Sequence, residues 1–208
     1  MPNQLHADLK QTRTLTAVAI GAITLSLFAQ GCAWILWSNN TSPVAATMIS
    51  GALVLIYAAC LSAACTTSSR TSTKPWSRWI LAVFLALFAA TLLYRLAGFD
   101  LQASTAQRWL LHASFLGAQF FALVVLSRQL LQPNDKRWGL LLLHAGMWLL
   151  PFSIMESVDI ETMDPDFAPA SPVFFAIRYF IAGLLFAAMC WVIFRSTWWV
   201  RGYPLGSR

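Results

Sequence analysis

Long apolar segments limit what this chain can fold into more than any other feature of its sequence. A helix needs about 20 apolar residues to cross the hydrocarbon core of a bilayer. Six segments reach that length with few charged residues, approximately 14–37, 43–66, 77–98, 108–128, 137–156 and 171–194. The sequence therefore predicts an all-α membrane protein, a six-transmembrane-helix bundle that forms a single polytopic membrane domain over residues 1–208.

The composition separates this chain from soluble domains and from nucleic-acid-binding proteins. Its 208 residues are 58% hydrophobic and 11% charged, whereas roughly 25% charged residues is usual in a soluble domain. The net charge of +6 comes from single basic residues scattered between the apolar segments. They form no dense basic face of the kind that binds nucleic acid. We therefore expect membrane lipids as partners and no nucleic acid.

Basic and acidic residues predict how the helices are oriented. Most of the 14 Lys and Arg residues flank the N-terminal segment, the second and fourth connections and the C-terminal tail. The fifth connection, residues 156–170, carries several carboxylates and no basic residue. Cytoplasmic loops carry the excess of Lys and Arg. We therefore expect both termini in the cytoplasm, with 156–170 as an acidic exterior loop.

Tryptophans support this orientation because their amphipathic rings prefer the membrane–water interface. Trp76, Trp79 and Trp138 are expected at the inner surface, and Trp34 and Trp37 at the outer one. The composition, rich in Ala, Leu and Trp, and the short connections are typical of a multi-pass protein of a bacterial inner membrane.

Ionisable side chains at membrane depth are costly to bury, so they point to function. Arg95, His112, Glu156 and Arg178 are predicted in one outer layer of the bundle. Together they predict an outward-facing polar vestibule that binds an anion, a lipid headgroup or a quinone-like ring. The alternatives are structural. Arg178 would snorkel to the interface or pair with Glu156, and Arg95 would cap its helix.

Two further polar residues are predicted near the middle of the bilayer. Gln119 lies on the fourth predicted helix and His144 on the fifth, at similar depth. A hydrogen bond between these adjacent helices is one interpretation. The other places both residues in a ligand or proton path that leads down from the vestibule.

No pattern in the sequence indicates catalysis, a metal site or a particular cofactor. The motifs of nucleophilic and zinc hydrolases and Gly-rich phosphate loops are absent. His112 and His144 differ in predicted depth by roughly 12 Å, which argues against their ligating one haem. The four cysteines, all in apolar segments, have no spacing that indicates a disulfide framework or metal site. An enzyme is therefore not favoured.

Three functions remain open from the sequence. The first is an integral membrane protein that binds or transports a small or amphipathic molecule through the vestibule. The second is a non-catalytic membrane subunit, an anchor, sensor or assembly partner of a larger complex. The third is a quinone- or haem-associated redox membrane protein.

Small residues four apart, which let helices approach closely in lipid, support a compact bundle and are compatible with a homo-oligomer or larger membrane complex. These pairs are Thr47 with Gly51, Ala59 with Ala63, Ala113 with Gly117, and Gly183 with Ala187.

Overall fold

The computed structural model describes residues 2–71, 74–96, 105–131, 136–146 and 172–199. This part of the chain contains six helices and no strand. They are α1 (Pro2–Ser38), α2 (Val44–Thr71), α3 (Pro75–Leu96), α4 (Thr105–Leu130), α5 (136–146) and α6 (Pro172–Trp199). The prediction of an all-α fold is confirmed for the described residues.

Three of the described helices are long and apolar enough to cross a membrane, by their length and composition. These segments are Ala7–Ser38, Val44–Arg70 and Pro172–Ile193. Two other apolar helical stretches, Pro75–Ala90 and Leu116–Arg128, are shorter. Large apolar side chains such as Met48 and Leu55 are exposed on the helix surfaces, which suits a lipid environment. The chain thus has the features of a membrane protein, while the six spans and the sides of the termini remain predictions.

The first two helices extend beyond the apolar segments that predicted them. α1 begins at Pro2 rather than near residue 14, and α2 continues through polar residues to Thr71. Within these polar extensions the hydroxyl groups of Thr12 and Thr66 each donate to the carbonyl oxygen four residues earlier. Such extensions stay helical because backbone hydrogen bonding does not depend on side-chain hydropathy. Hydropathy alone therefore did not predict where these helices begin and end.

A tight turn at Asn40 separates α1 from α2. Asn40 has a positive φ of 55°, and its N–H donates to the Trp37 carbonyl at 3.0 Å. The Thr41 N–H donates to the Leu36 carbonyl at 2.8 Å. These two bonds define a Schellman motif, in which the left-handed residue is usually Gly and sometimes Asn. The motif ends α1, and α2 begins just after Pro43, so the two helices form an antiparallel hairpin.

α1 is the central helix of the described bundle, because it packs against α2 on one side and α6 on the other. The Ser26 and Ser50 hydroxyls are hydrogen bonded at 2.9 Å between α1 and α2. The Cys190 thiol on α6 lies 3.8 Å from the Ala17 carbonyl on α1 as a weak donor. α3 packs mainly against α4. The buried apolar side chains of these helices form one continuous core.

Glycines and phenylalanines interlock α1 with α6. A Cβ added at Gly31 would lie 3.2 Å from the Phe180 ring, and one added at Gly183 would lie 3.3 Å from the Phe28 ring. The two rings have centroids 5.8 Å apart. Each helix therefore offers a glycine as the space for the other helix's phenyl ring. Van der Waals packing of this kind drives helix association in lipid, where burying apolar surface between helices gains little.

Only one of the predicted small-residue pairs takes part in such a contact. Gly183 on α6 is buried against Phe28 of α1. The two pairs on α2 are exposed, namely Thr47 with Gly51 and Ala59 with Ala63. Their spacing is the same, but α2 buries a different face. The α2 pairs therefore do not support a compact bundle among the described helices, contrary to expectation.

Lengthening the side chain at the α1–α6 contact should destabilise the protein. We expect Gly31→Leu and Gly183→Leu each to lower stability by about 1–3 kcal/mol, because the Phe rings occupy the space that the new side chain needs. Gly21→Ala on the same helix is the control, since a Cβ there meets nothing within 4 Å. Its better helix propensity should leave stability unchanged or raise it. Apparent melting temperature in detergent measures both effects, and equal values for Gly21→Ala and Gly31→Leu would contradict the interlock.

The Asn40 turn gives a second stability prediction. Asn40→Gly should keep or raise the melting temperature, because Gly adopts a positive φ without a Cβ penalty. Asn40→Val should cost about 1–2 kcal/mol, because a β-branched residue is strained in this conformation. A Val variant as stable as the Gly variant would show that the turn does not need the left-handed conformation.

Candidate functional site

Aromatic rings from α1 and α6 meet at the end of the bundle where α1 ends and α6 begins. The Trp34 ring stacks on Phe175 with centroids 4.7 Å apart, and Trp37 meets the Trp34 ring edge-on at 5.3 Å. Phe174, beside Phe175, and Arg178 complete the group. We call these five residues the Trp34 cluster. Aromatic pairs with such geometry are each worth about 0.5–1.5 kcal/mol beyond their buried area, so the cluster also holds α1 against α6.

Arg178 is attached to this cluster through a cation–π contact. Its guanidinium carbon lies 4.5 Å from the centroid of the Phe174 ring. The two residues are one helical turn apart, which is the spacing at which side chains meet on a helix surface. Arg178 is half-buried. The ring therefore holds a planar cation, which suits carboxylate or phosphate groups, in a segment apolar enough to cross a membrane.

The indole nitrogen of Trp34 is a buried donor without an acceptor. Trp34 is only 9% exposed, and its Nε1 has no hydrogen-bond partner among the described residues. An unsatisfied buried donor costs about 1–3 kcal/mol. Trp34 was predicted to mark the outer membrane surface. That depth stays a prediction, and within the bundle Phe175 covers the Trp34 ring. Its N–H would gain most from an acceptor that arrives with a bound molecule.

A second buried polar contact joins α2 to α4. The Tyr57 hydroxyl donates to Gln119 Oε1 at 2.8 Å, and both side chains are buried. The sequence predicted Gln119 as a buried polar residue but suggested His144 as its partner. Tyr57 was not predicted because a Tyr in an apolar segment resembles an ordinary core aromatic residue. The usable signal was its phenol, which needs a hydrogen-bond partner when buried.

His144 lies apart from Gln119 on the exposed face of α5. Its Nδ1 is 2.6 Å from the Leu140 carbonyl oxygen. Because a carbonyl oxygen only accepts, Nδ1 carries the hydrogen, and in the neutral ring Nε2 is the acceptor. The ring also meets Phe120 edge-on at 4.8 Å. His144 therefore contacts α4 through Phe120, and Gln119 receives its described hydrogen bond from Tyr57.

The remaining predicted site residues lie outside what the structure describes. Arg95 and His112 fall on α3 and α4, but their side chains are not among the described ones. Glu156 and the acidic loop 156–170 also lie outside the described residues. Their expected roles in the vestibule, and the expected grouping of these three residues with Arg178, stay predictions.

The chemistry of the Trp34 cluster is that of a receptor for a hydrogen-bond acceptor on an apolar body. It offers one cation, one unsatisfied N–H donor and several aromatic faces. No group of three or more His, Cys, Asp or Glu side chains in the described part of the chain could hold a metal ion. The four cysteines are all free thiols. The cluster can therefore bind and orient a polar group, and it contains no nucleophile paired with a base.

The fold and this cluster together define a class, an all-helical membrane protein with a cationic aromatic site at one end. Comparison with protein-family models, curated proteins and solved structures found no match for this chain. Its function is therefore inferred from the geometry alone.

The Tyr57–Gln119 contact gives a prediction about the bundle beneath this site. Tyr57→Phe and Gln119→Leu should each lower the melting temperature, and the double variant should be less destabilised than their sum. Interhelical hydrogen bonds in membranes average about 0.6 kcal/mol, with a maximum of about 1.7, so we expect a coupling in that range. Tyr57→Phe combined with the distant Ser26→Ala should be additive. Additivity in both pairs would show that the Tyr57–Gln119 bond contributes nothing.

Proposed function

We propose that this chain is a six-helix protein of a bacterial inner membrane, with both termini in the cytoplasm, that binds a small or amphipathic anion at the Trp34 cluster. The observation that carries the proposal is the buried Nε1 of Trp34, which has no hydrogen-bond partner among the described residues and belongs to the cluster that also holds the Arg178 cation. Transport of the same molecule is the activity that this binding would serve.

Charge selects the polar part of the ligand. A guanidinium at membrane depth is costly unless a ligand or protein group stabilises it, which is why such residues usually mark binding sites or ion pathways. A carboxylate or phosphate oxygen would accept from the guanidinium and from the Trp34 indole together. An uncharged carbonyl, such as that of a quinone-like ring, would satisfy the indole but would gain less from the cation.

The surface beside Arg178 favours an apolar tail on the same ligand. Val173, Ile177 and Ile181 are each about half exposed, at 50%, 50% and 45%. These three residues are four apart in the sequence, so they form an apolar stripe along one face of α6. Ile177 in this stripe directly precedes Arg178. An acyl or isoprenoid chain could lie along this stripe while its polar head meets the cluster. The site is therefore accessible from the lipid side of α6.

The predicted vestibule extends this proposal. Arg95, His112 and Glu156 would complete the polar layer around Arg178 on the outer side. Gln119 and His144 would lie deeper on the path of a transported molecule. The Tyr57–Gln119 bond supports a closed path at the level of Gln119, because its atoms hydrogen bond each other across α2 and α4.

Binding of decyl phosphate to the purified protein in nanodiscs tests the proposal. We expect Arg178→Gln to weaken binding at least tenfold, about 1.4 kcal/mol, because it removes the cation. Trp34→Phe should weaken binding, because it removes the N–H donor while a smaller aromatic ring still faces Phe175. Arg128→Gln removes an exposed cation near the C-terminal end of α4, outside the Trp34 cluster. This variant should leave binding unchanged.

Two results would overturn this function. Equal binding by Arg178→Gln and the parent protein would remove Arg178 from the site. Equal binding of decyl phosphate, decyltrimethylammonium and decyl maltoside would show that only the tail is recognised. Loss of binding in Arg128→Gln as well would indicate a general charge effect.

A non-catalytic membrane subunit is the second candidate, and the exposed face of α2 favours it. Met48 and Leu55 are 70% and 71% exposed, and Gly51, Ala59 and Ala63 on the same helix are exposed small residues. Such a face suits close packing by a helix of another subunit. Cysteine cross-linking at position 59, in a variant without the four native cysteines, should then yield a defined adduct in membranes. No adduct would leave lipid as the neighbour of α2.

A further inference from the structure

The bundle end opposite the Trp34 cluster is strongly basic. The connections that join α1 to α2, α2 to α3, α3 to α4 and α4 to α5 are short. Short connections favour antiparallel neighbours, so we place the ends of α2 and α4 and the starts of α3 and α5 at this end. Five exposed basic side chains belong to these helix ends, namely Arg70, Lys74, Arg78, Arg128 and Arg137. The only described carboxylate side chain near this end is Asp8, on the first turns of α1. We call this surface the basic rim.

Two matched Arg–Trp pairs stand out within the basic rim. Arg78 and Trp79 lie in the first turns of α3, and Arg137 and Trp138 lie in the first turn of α5. Trp79 and Trp138 are 73% and 65% exposed. Both pairs therefore present a planar cation and an amphipathic ring to the surroundings, near the start of their helices and at the same end of the bundle.

A close contact between Leu131, which follows α4, and Gly139 on α5 lies beside the second pair. A Cβ added at Gly139 would collide with the Leu131 side chain, so the backbone of α5 lies directly on the residue that follows α4. Arg137 and Trp138 come just before this contact. The contact between Leu131 and Gly139 thus keeps these two residues close to the end of α4.

The chemistry of these pairs fits the headgroup region of a lipid leaflet. Exposed Trp rings prefer the membrane–water interface, which places the adjacent guanidinium groups at the level of lipid phosphates. Guanidinium groups bind phosphate with two parallel hydrogen bonds. The positive ends of the α3 and α5 dipoles lie in the same turns and add to the attraction. Lipids with a net negative charge are attracted by this excess of positive charge. In a zwitterionic lipid, the ammonium group is repelled by it and weakens the attraction of the phosphate.

We propose that the two Arg–Trp pairs of the basic rim bind the headgroups of anionic phospholipids selectively. Each Arg contacts the phosphate, and each Trp inserts its ring beside the acyl–headgroup boundary. This lipid contact is independent of the Trp34 cluster, which lies at the other end of the bundle and is proposed to serve a different molecule.

Thermal stability in mixed micelles tests the proposal. Dioleoylphosphatidylglycerol should raise the apparent melting temperature of the full chain by about 3 °C or more relative to dioleoylphosphatidylcholine, because a ligand that binds only the folded state stabilises it. Arg78→Gln combined with Arg137→Gln should lose most of this gain. Lys10→Gln combined with Arg70→Gln removes two exposed charges from the same end, next to no Trp, and should keep most of it. Glycerol phosphate without acyl chains should give no gain.

Quenching of tryptophan fluorescence gives a second measurement that does not depend on stability. Brominated phosphatidylglycerol should quench the parent protein more strongly than brominated phosphatidylcholine, and this difference should shrink in Trp79→Phe with Trp138→Phe. Equal losses of the stability gain in the two double Gln variants would overturn the proposal, because bulk charge would then explain it. No preference for the anionic lipid in either measurement would overturn it as well.

Discussion

The contact between α1 and α6 is the interaction on which the described structure most depends. These helices are distant in the sequence, so no short connection brings them together. They meet because Gly31 makes room for the Phe180 ring and Gly183 makes room for the Phe28 ring. Close packing replaces the hydrophobic effect as the force that joins helices in lipid. The same contact places α6 so that Phe175 covers Trp34, and without it the cationic aromatic site would not exist.

Most of the buried polar side chains that the structure describes are hydrogen bonded, and Nε1 of Trp34 is one of a few exceptions. Hydroxyl groups on single helices, such as those of Thr16 and Thr24, donate to the carbonyl four residues earlier. Others bond across helices, as in the contacts of Ser26 with Ser50 and of Tyr57 with Gln119. Nε1 of Trp34 does neither. An indole N–H can only donate, so only a hydrogen-bond acceptor can satisfy it.

The two ends of the bundle differ in how their cations are arranged. At one end Arg178 is half-buried against Phe174, so its charge is partly removed from water. At the other end the basic rim is exposed, so its charges act together on whatever surface lies beside them. Coulomb interactions are stronger at low dielectric and are screened at exposed positions. One half-buried cation can therefore act strongly on a nearby anion at the first end. At the second end, several exposed cations are needed for a comparable effect.

Hydropathy and length by themselves determined that this chain is helical and suited to a membrane, because a segment of about 20 apolar residues has few other ways to satisfy its backbone in lipid. They also made Arg178 and Gln119 conspicuous, since polar residues are rare in such segments. Tertiary structure alone decided which side chain Gln119 bonds. Residue spacing does not state which face of a helix is buried, so it did not separate Gly183 from Gly51. It also did not predict that Gln119 would meet Tyr57, because that contact depends on how α2 and α4 are rotated about their axes.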